Sequence, residues 1–326
     1  MGIVFNYKLI TYGFSQARGQ LHILRQARPI SEVMSDPDFP DSLKIKLKLV
    51  EEIKRFAFSS LGLKSSENYT SVYDQKGQEI LWVVIACDPY QFNPLMWSFP
   101  LIGSFSYKGF FDYDKAIALA KSLKNQQYDV EMRSVSGWST LGWFNDPILS
   151  NMLAEEEGAL ANTLIHELTH GTIFIPDSMT FNENLATFIG KNGALSYLGS
   201  KYGSGSKEFL SYKNRLADGQ LFTRHIIKNA EELNKIYLDN ESKSDSVKEI
   251  FKSLFLDEFV ESIDTIDFYN PKRYLGYFEN FRPNNAYFIS FLNYRERQDE
   301  LENLLRDSLN NELPLFIDYW RATYEK

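Results

Sequence analysis

The chain has little with which to be stapled, anchored or drawn to nucleic acid. Cys87 is the only cysteine among 326 residues, which excludes an intramolecular disulfide and any cysteine-based metal site. That usage suits a reducing cytosol and is equally compatible with a bacterial periplasm. A basic surplus is missing too: 35 Lys and Arg face 43 Asp and Glu, a net charge of −8. Such a chain exerts no long-range attraction on phosphate backbones, and nucleic acid is set aside as a partner. Long apolar runs are absent, the densest being Ile80-Leu-Trp-Val-Val-Ile-Ala86, far below the roughly 20 residues of a spanning helix. The start, Met1-Gly-Ile-Val-Phe-Asn6, lacks the basic segment and long apolar core of a signal peptide, and Asn6 stands where myristoylation needs Ser or Thr. Met1-Gly2 is compatible with the scar of a removed leader. Internal repeats, low-complexity tracts and Pro-rich linkers are also lacking, and only four histidines are present.

What is present reads as α+β: a small sheet, then a mainly helical lobe, with the motif helix between them. The length is ample for one domain over residues 1–326, organised as two lobes of about 1–175 and 176–326. Helical spacing over Tyr7–Leu24 is broken at Ala27-Arg-Pro-Ile30. After the turn Asp36-Pro-Asp-Phe-Pro40, Asp41 and Ser42 are expected to cap a helix to about Leu61, with Ile45, Leu47, Leu49, Val50, Ile53 and Phe56 apolar. Strands are predicted at Glu79–Cys87, Leu101–Tyr107 and Tyr128–Val135, with a helix over Tyr113–Leu123 between the last two. Helices follow at Glu155–Ile173 and Asn182–Tyr197. After a Gly- and Ser-rich break they resume at about Glu208–Leu238, Val247–Ile263, Ala286–Leu292 and Glu296–Trp320, the last interrupted at Pro314.

The helix over Glu155–Ile173 carries His166-Glu-Leu-Thr-His170, an HExxH pattern. With four histidines, chance gives this in well under about one such sequence in a hundred. Residues four apart share a helix face, so His166 and His170 offer two imidazoles to one ion, and Glu167 stands beside them as a general base. A third ligand is needed. The turn around Ile175-Pro-Asp-Ser178 lets the chain reverse, which puts Glu183 in the first turn of the next helix, facing both histidines. Glu155, Glu156 and Glu157 compete, but they lie about three turns upstream and are expected on a solvated face. Two imidazoles and a carboxylate leave one position for water, the pattern of catalytic zinc, although the same set accepts other divalent ions. The expectation is one Zn2+ held by His166, His170 and Glu183, with a peptide as substrate.

Two further roles have candidates. Ser139, Thr140, Leu141 and Gly142 are expected to form an edge strand that aligns substrate by backbone pairing; the competing reading is a buried strand with Trp138 and Trp143 in the core. For a donor to the developing oxyanion, Tyr294, Tyr107 and His225 are the candidates.

The chain also resembles the predicted aminopeptidases of bacterial genomes, a zincin group with HExxH. The resemblance runs through Ala17-Arg-Gly-Gln-Leu21, Ala27-Arg-Pro-Ile30, Phe99-Pro-Leu-Ile-Gly103, Ser106-Tyr-Lys-Gly-Phe-Phe111, Ser139-Thr-Leu-Gly-Trp-Phe-Asn-Asp-Pro147, His166–His170, Phe181-Asn-Glu-Asn-Leu-Ala-Thr-Phe188 and Asn284-Asn-Ala286. It implies a zincin-like fold, a zinc peptidase with a gluzincin-like third ligand at Glu183, and a cell-envelope or periplasmic location. Where the family commonly has Trp-Cys-Phe-Pro, this chain has Trp97-Ser-Phe-Pro100, so no role rests on that cysteine. The competing functions are a catalytically silent metal-binding or scaffold protein of the envelope and a metal-free helical interaction protein. Glu167 argues against the first, because a structural site has no use for a general base.

Overall fold

The structure, a computed structural model, describes residues 2–99, 103–135, 145–176, 178–292 and 298–324. It is mixed α+β, mostly helical with small sheets. In order it forms α1 (Gly2–Gln26), β1 (Arg28–Pro29), α2 (Ile30–Ser35), α3 (Asp41–Ser59), β2 (Ser71–Tyr73), β3 (Trp82–Cys87), β4 (Trp97–Phe99), β5 (Gly103–Phe105), β6 (Tyr107–Phe110), α4 (Tyr113–Asn125), β7 (Asp129–Ser134) and β8 (Ile148–Leu149). There follow α5 (Glu157–His170), α6 (Met179–Tyr202), α7 (Lys207–Asp239), α8 (Asp245–Ser262), α9 (Asn285–Leu292), α10 (Gln298–Asn303) and α11 (Leu313–Tyr324). None of the described helices is long and apolar enough to cross a membrane.

Two compact units share the chain: Met1–Leu81, Val135–Tyr212 and Glu296–Lys326 form one, Trp82–Ser134 and Lys213–Arg295 the other. In the first, α5 and α6 pack along their length, and α3 packs on α5. The pattern is set by apolar residues at helical spacing: Leu160, Leu164, Ile165 and Leu168 on α5, and Leu185, Ala186, Phe188 and Ile189 on α6, are all buried. Each such Leu, Ile or Phe contributes about 1.5–3 kcal/mol by leaving water. From α11, Phe316 closes on Phe188 with ring centroids 5.0 Å apart. A three-stranded sheet in the order β1-β2-β8 completes the unit; β1 is antiparallel to β2, and β2 is parallel to β8 through Val72↔Ile148 and Tyr73↔Leu149.

In the second unit β3 lies between β6 and β7, antiparallel to both. Its residues Val83–Cys87 are buried in succession, as in a strand covered on both faces. Helix α9 covers Ile85 and Cys87 with Ala286 and Ile289, and α4 also packs on β3 and β7. The loop after β3 is held by a buried amide: Asn285 Nδ2 donates to the carbonyls of Asp88 (2.8 Å), Pro89 (3.1 Å) and Gln91 (3.4 Å), while Asn285 Oδ1 accepts from Tyr237 (2.8 Å). Lys252 Nζ adds a bond to Pro89 O and an ion pair with Asp129 at 2.6 Å. An aromatic core including Phe222, Phe259, Phe278, Tyr287 and Phe288 packs the rest.

Several expected boundaries move, each for a local reason. Neither Asp41 nor Ser42 caps α3; Pro40 occupies the cap position without a side-chain bond, and Ile45 is exposed rather than on the buried face. The strand expected at Leu101–Tyr107 is two strands, β5 and β6, parted at Ser106. Helix α5 is shorter than expected, because Glu155 and Glu156 are extended after a 3-10 turn at Ser150–Ala154. Helix α6 starts a turn earlier and continues to Tyr202, where Gly203 (φ 87°) ends it. The last helical stretch does not break at Pro314. That residue sits in the first turn of α11, where no backbone donor is needed, and the break falls just before it, at Asn310 and Asn311 with φ of 53° and 60°.

Candidate metal centre

Helices α5 and α6 bring His166, His170 and Glu183 together, the one group of three or more such residues among those described that could hold an ion. His166 Nε2 and His170 Nε2 are 3.2 Å apart. Glu183 reaches both: Oε2 is 3.5 Å from His166 Nε2, and Oε1 is 3.5 Å from His170 Nε2. Two donors held about 2.05 Å from a zinc ion at a tetrahedral angle stand ~3.3 Å apart. The three distances lie close to that spacing, the two from Glu183 ending on different carboxylate oxygens, and two ring nitrogens and a carboxylate are a donor set that zinc accepts. The residues therefore fit the ion.

Glu183 stands in the second turn of α6, one turn further in than expected. Asn182 explains the shift. Its side chain clamps the preceding loop, Oδ1 accepting from Ile175 N–H (2.9 Å) and Nδ2 donating to Ile175 O (2.8 Å), while α6 has already begun at Met179. Close approach of the two helices is made possible by Gly190 and Gly193: a Cβ at Gly193 would lie 2.9 Å from Ile165 Cγ2 on α5.

Burial and the three charges set the protonation states. Burial pulls His170 down to about 4, so its imidazole is neutral, as a ligand must be. Glu183 would be raised by burial, but its contacts with His166 and His170 outweigh this and keep it below the ordinary carboxylate value. For His166 burial acts downward, and the adjoining Glu183 and Glu167 carboxylates reverse the balance to a net rise. Glu167 goes the other way. Burial first, then the neighbouring Glu183 and Asp146 carboxylates, push it up to about 7 against the pull of His166.

A family profile described as "Putative aminopeptidase" matches residues 11–325. The chain belongs to that family. Comparison with curated proteins and with solved structures yields no match in either case.

Around Glu167, this aminopeptidase-family chain assembles residues that its motif does not reveal. Tyr69 is buried with φ of 62°, and the Glu167 and Asp146 carboxylates reinforce the rise that burial imposes on its phenol. Asp146, itself buried, is joined to the same turn by two bonds of its backbone: Asp146 N–H donates to the Asn68 side-chain oxygen Oδ1 (3.1 Å), and Asp146 O accepts from Tyr69 N–H (2.7 Å). Asp146 belongs to the stretch Asn145-Asp-Pro147 that carried the family resemblance; Tyr69 left no signal in the sequence beyond being a tyrosine in a polar loop.

The other candidates are less informative. Ser139, Thr140, Leu141, Gly142 and Tyr294 lie outside the described residues. Tyr107 is in β6, paired with Ile85 and packed on Phe105. His225 Nε2 is engaged by Ser262 Oγ at 2.7 Å, and its ring stacks on Phe259, the arrangement of a structural histidine. Of the rival acids, Glu157 is bound by Lys201 (2.9 Å), Tyr197 and Tyr202 rather than lying free on a solvated face.

Proposed function

We propose that the protein is a zinc-dependent metallopeptidase of aminopeptidase type, with His166, His170 and Glu183 as metal ligands and Glu167 as general base. The observation that carries this reading is the convergence of the two histidines of HExxH and an acid from the next helix: their ring nitrogens are 3.2 Å apart, and each is 3.5 Å from one of the two Glu183 carboxylate oxygens. Family membership supports the same reaction class. Zinc bound there supplies Lewis-acid polarisation of a carbonyl and a water of lowered pKa. The chain supplies the proton handling. Glu167 is one residue from the ligand His166 on the same helix, and its half-buried carboxylate has a proton affinity close to neutrality. A base so poised takes a proton from the attacking water and releases it to the leaving amine at one pH.

The test is hydrolysis of a peptide library by the zinc-loaded protein and by Glu167→Gln. Retained zinc with hydrolysis reduced at least about a hundredfold is expected for loss of a general base. Zinc binding by the wild type with no hydrolysis of any peptide would favour the silent scaffold, and equal activity of Glu167→Gln would remove the mechanism.

A further inference from the structure

We infer that Gly190 is a positioning residue for the metal centre: the missing side chain sets the separation of α5 and α6 at the level of His166, and so the reach of Glu183 to the histidines. The inference rests on the metal reading of this site. On α5, Asn162, His166 and His170 follow at intervals of four and form one row. On α6, Glu183 and Gly190 are seven apart, about two turns, and share a row as well. The rows face each other antiparallel, with Glu183 between the two histidines and Gly190 against Asn162 and His166. A Cβ at Gly190 would come 2.6 Å from Asn162 Oδ1, 2.9 Å from the Asn162 carbonyl and 3.1 Å from His166 Cβ. Two of these neighbours are fixed to the helix backbone, so the helices would have to part.

Parting by a few tenths of an ångström matters at the ligands, because carboxylate and imidazole must both stay within about 0.2 Å of their bonding distances. Glycine inside a helix costs about 1 kcal/mol relative to alanine, and the backbone here is ordinary helix rather than the left-handed region. Turn formation therefore does not account for Gly190; close approach does. The adjoining Asn162 Oδ1 is buried and has no hydrogen-bond partner among the described residues, so this amide packs against Gly190 and leaves its own oxygen unsatisfied.

Zinc affinity is the readout, measured by competition with a chromophoric chelator on the full chain, alongside unfolding of the zinc-free protein. Gly190→Ala should lower affinity by at least about tenfold, the scale of a disturbed ligand support. Gly199→Ala is the control: it makes the same exchange in the same helix, but its Cβ would meet only Phe209 at an ordinary 3.5 Å. It should leave affinity unchanged. Asn162→Ala alone should do the same, and added to Gly190→Ala it should recover part of the loss, because the nearest obstruction is gone while the carbonyl remains. If Gly190→Ala does not fold, the double variant carries the test and should still bind several-fold more weakly than wild type. Wild-type affinity in Gly190→Ala, or in the double variant, overturns the inference and leaves the metal reading standing. A wild-type chain that takes up no zinc overturns both.

Discussion

Glu131 offers a test of the second unit that is independent of any metal. It lies on β7 opposite Ile85, in the sheet that α9 covers. Its Oε2 is buried and has no hydrogen-bond partner among the described residues. Burial pushes the carboxyl from an ordinary 4.5 up to about 7, with Arg133 opposing. Because the folded-state value lies above the unfolded one, the folded chain holds the extra proton between about pH 4.5 and 7. Stability therefore falls as pH rises through that window, and above it the full cost is present. The gap corresponds to about 3 kcal/mol, reduced to about 2 kcal/mol because the side chain is only half-buried. Glu131→Gln keeps the shape and removes the charge. In urea unfolding at pH 8 the variant should be more stable than wild type by about 2 kcal/mol, and at pH 5 most of that advantage should be gone. No gain at pH 8 would refute the assignment of a buried, unsatisfied carboxylate. An equal gain at both pH values would make the effect one of packing rather than charge.

Two other outcomes are expected. Asn285→Ala removes the bonds to Tyr237 and to the carbonyls of Asp88, Pro89 and Gln91 from a fully buried position, and should cost about 2–4 kcal/mol in urea unfolding; a loss under about 1 kcal/mol would show that the loop after β3 is held by other means. Free zinc at a hundred times its dissociation constant should stabilise the chain by about 2.7 kcal/mol, an effect abolished by chelator and absent in Glu183→Ala, with calorimetry as the check.

That His166 and His170 stand on one face was legible because their spacing is a property of one helix: four residues apart on α5 is a geometric fact before any tertiary structure. That Glu183 comes beside them was legible too, but it lies a turn further into α6 than expected, since Asn182 is engaged with Ile175 rather than opening the helix. The long helices α3, α7 and α8 follow from apolar periodicity. By contrast β1, β2 and β8, of two or three residues each, are too short to show alternation. They exist because distant segments pair, Val72 with Ile148 across 76 positions. The same holds for Tyr69 and Asp146, joined by a backbone bond that no local pattern encodes. Asn285 stood out in the sequence only through resemblance, and its place at the centre of a buried network gives that motif a physical role in holding a loop.

Several features that cost stability collect around α5, and their coincidence separates the competing readings. Gly190 and Gly193 lie inside α6, where glycine has lower helix propensity than alanine; Tyr69 holds a backbone conformation that costs a non-glycine residue on the order of 1 kcal/mol or more. Glu167 sits half-buried near two other carboxylates, Glu183 and Asp146. A helical interaction protein has no evident use for the buried Glu167 carboxylate among other carboxylates or for the Tyr69 backbone conformation. A structural metal site would account for the glycines, which let Glu183 reach the histidines, but not for Glu167, because a third carboxylate that does not complete the ligand triangle only adds repulsion. Sequences tend to break local rules where function requires it. In the catalytic reading proposed above, the glycines bring α5 and α6 together and Glu167 handles the proton, while the Tyr69 turn anchors the segment that bears Asp146.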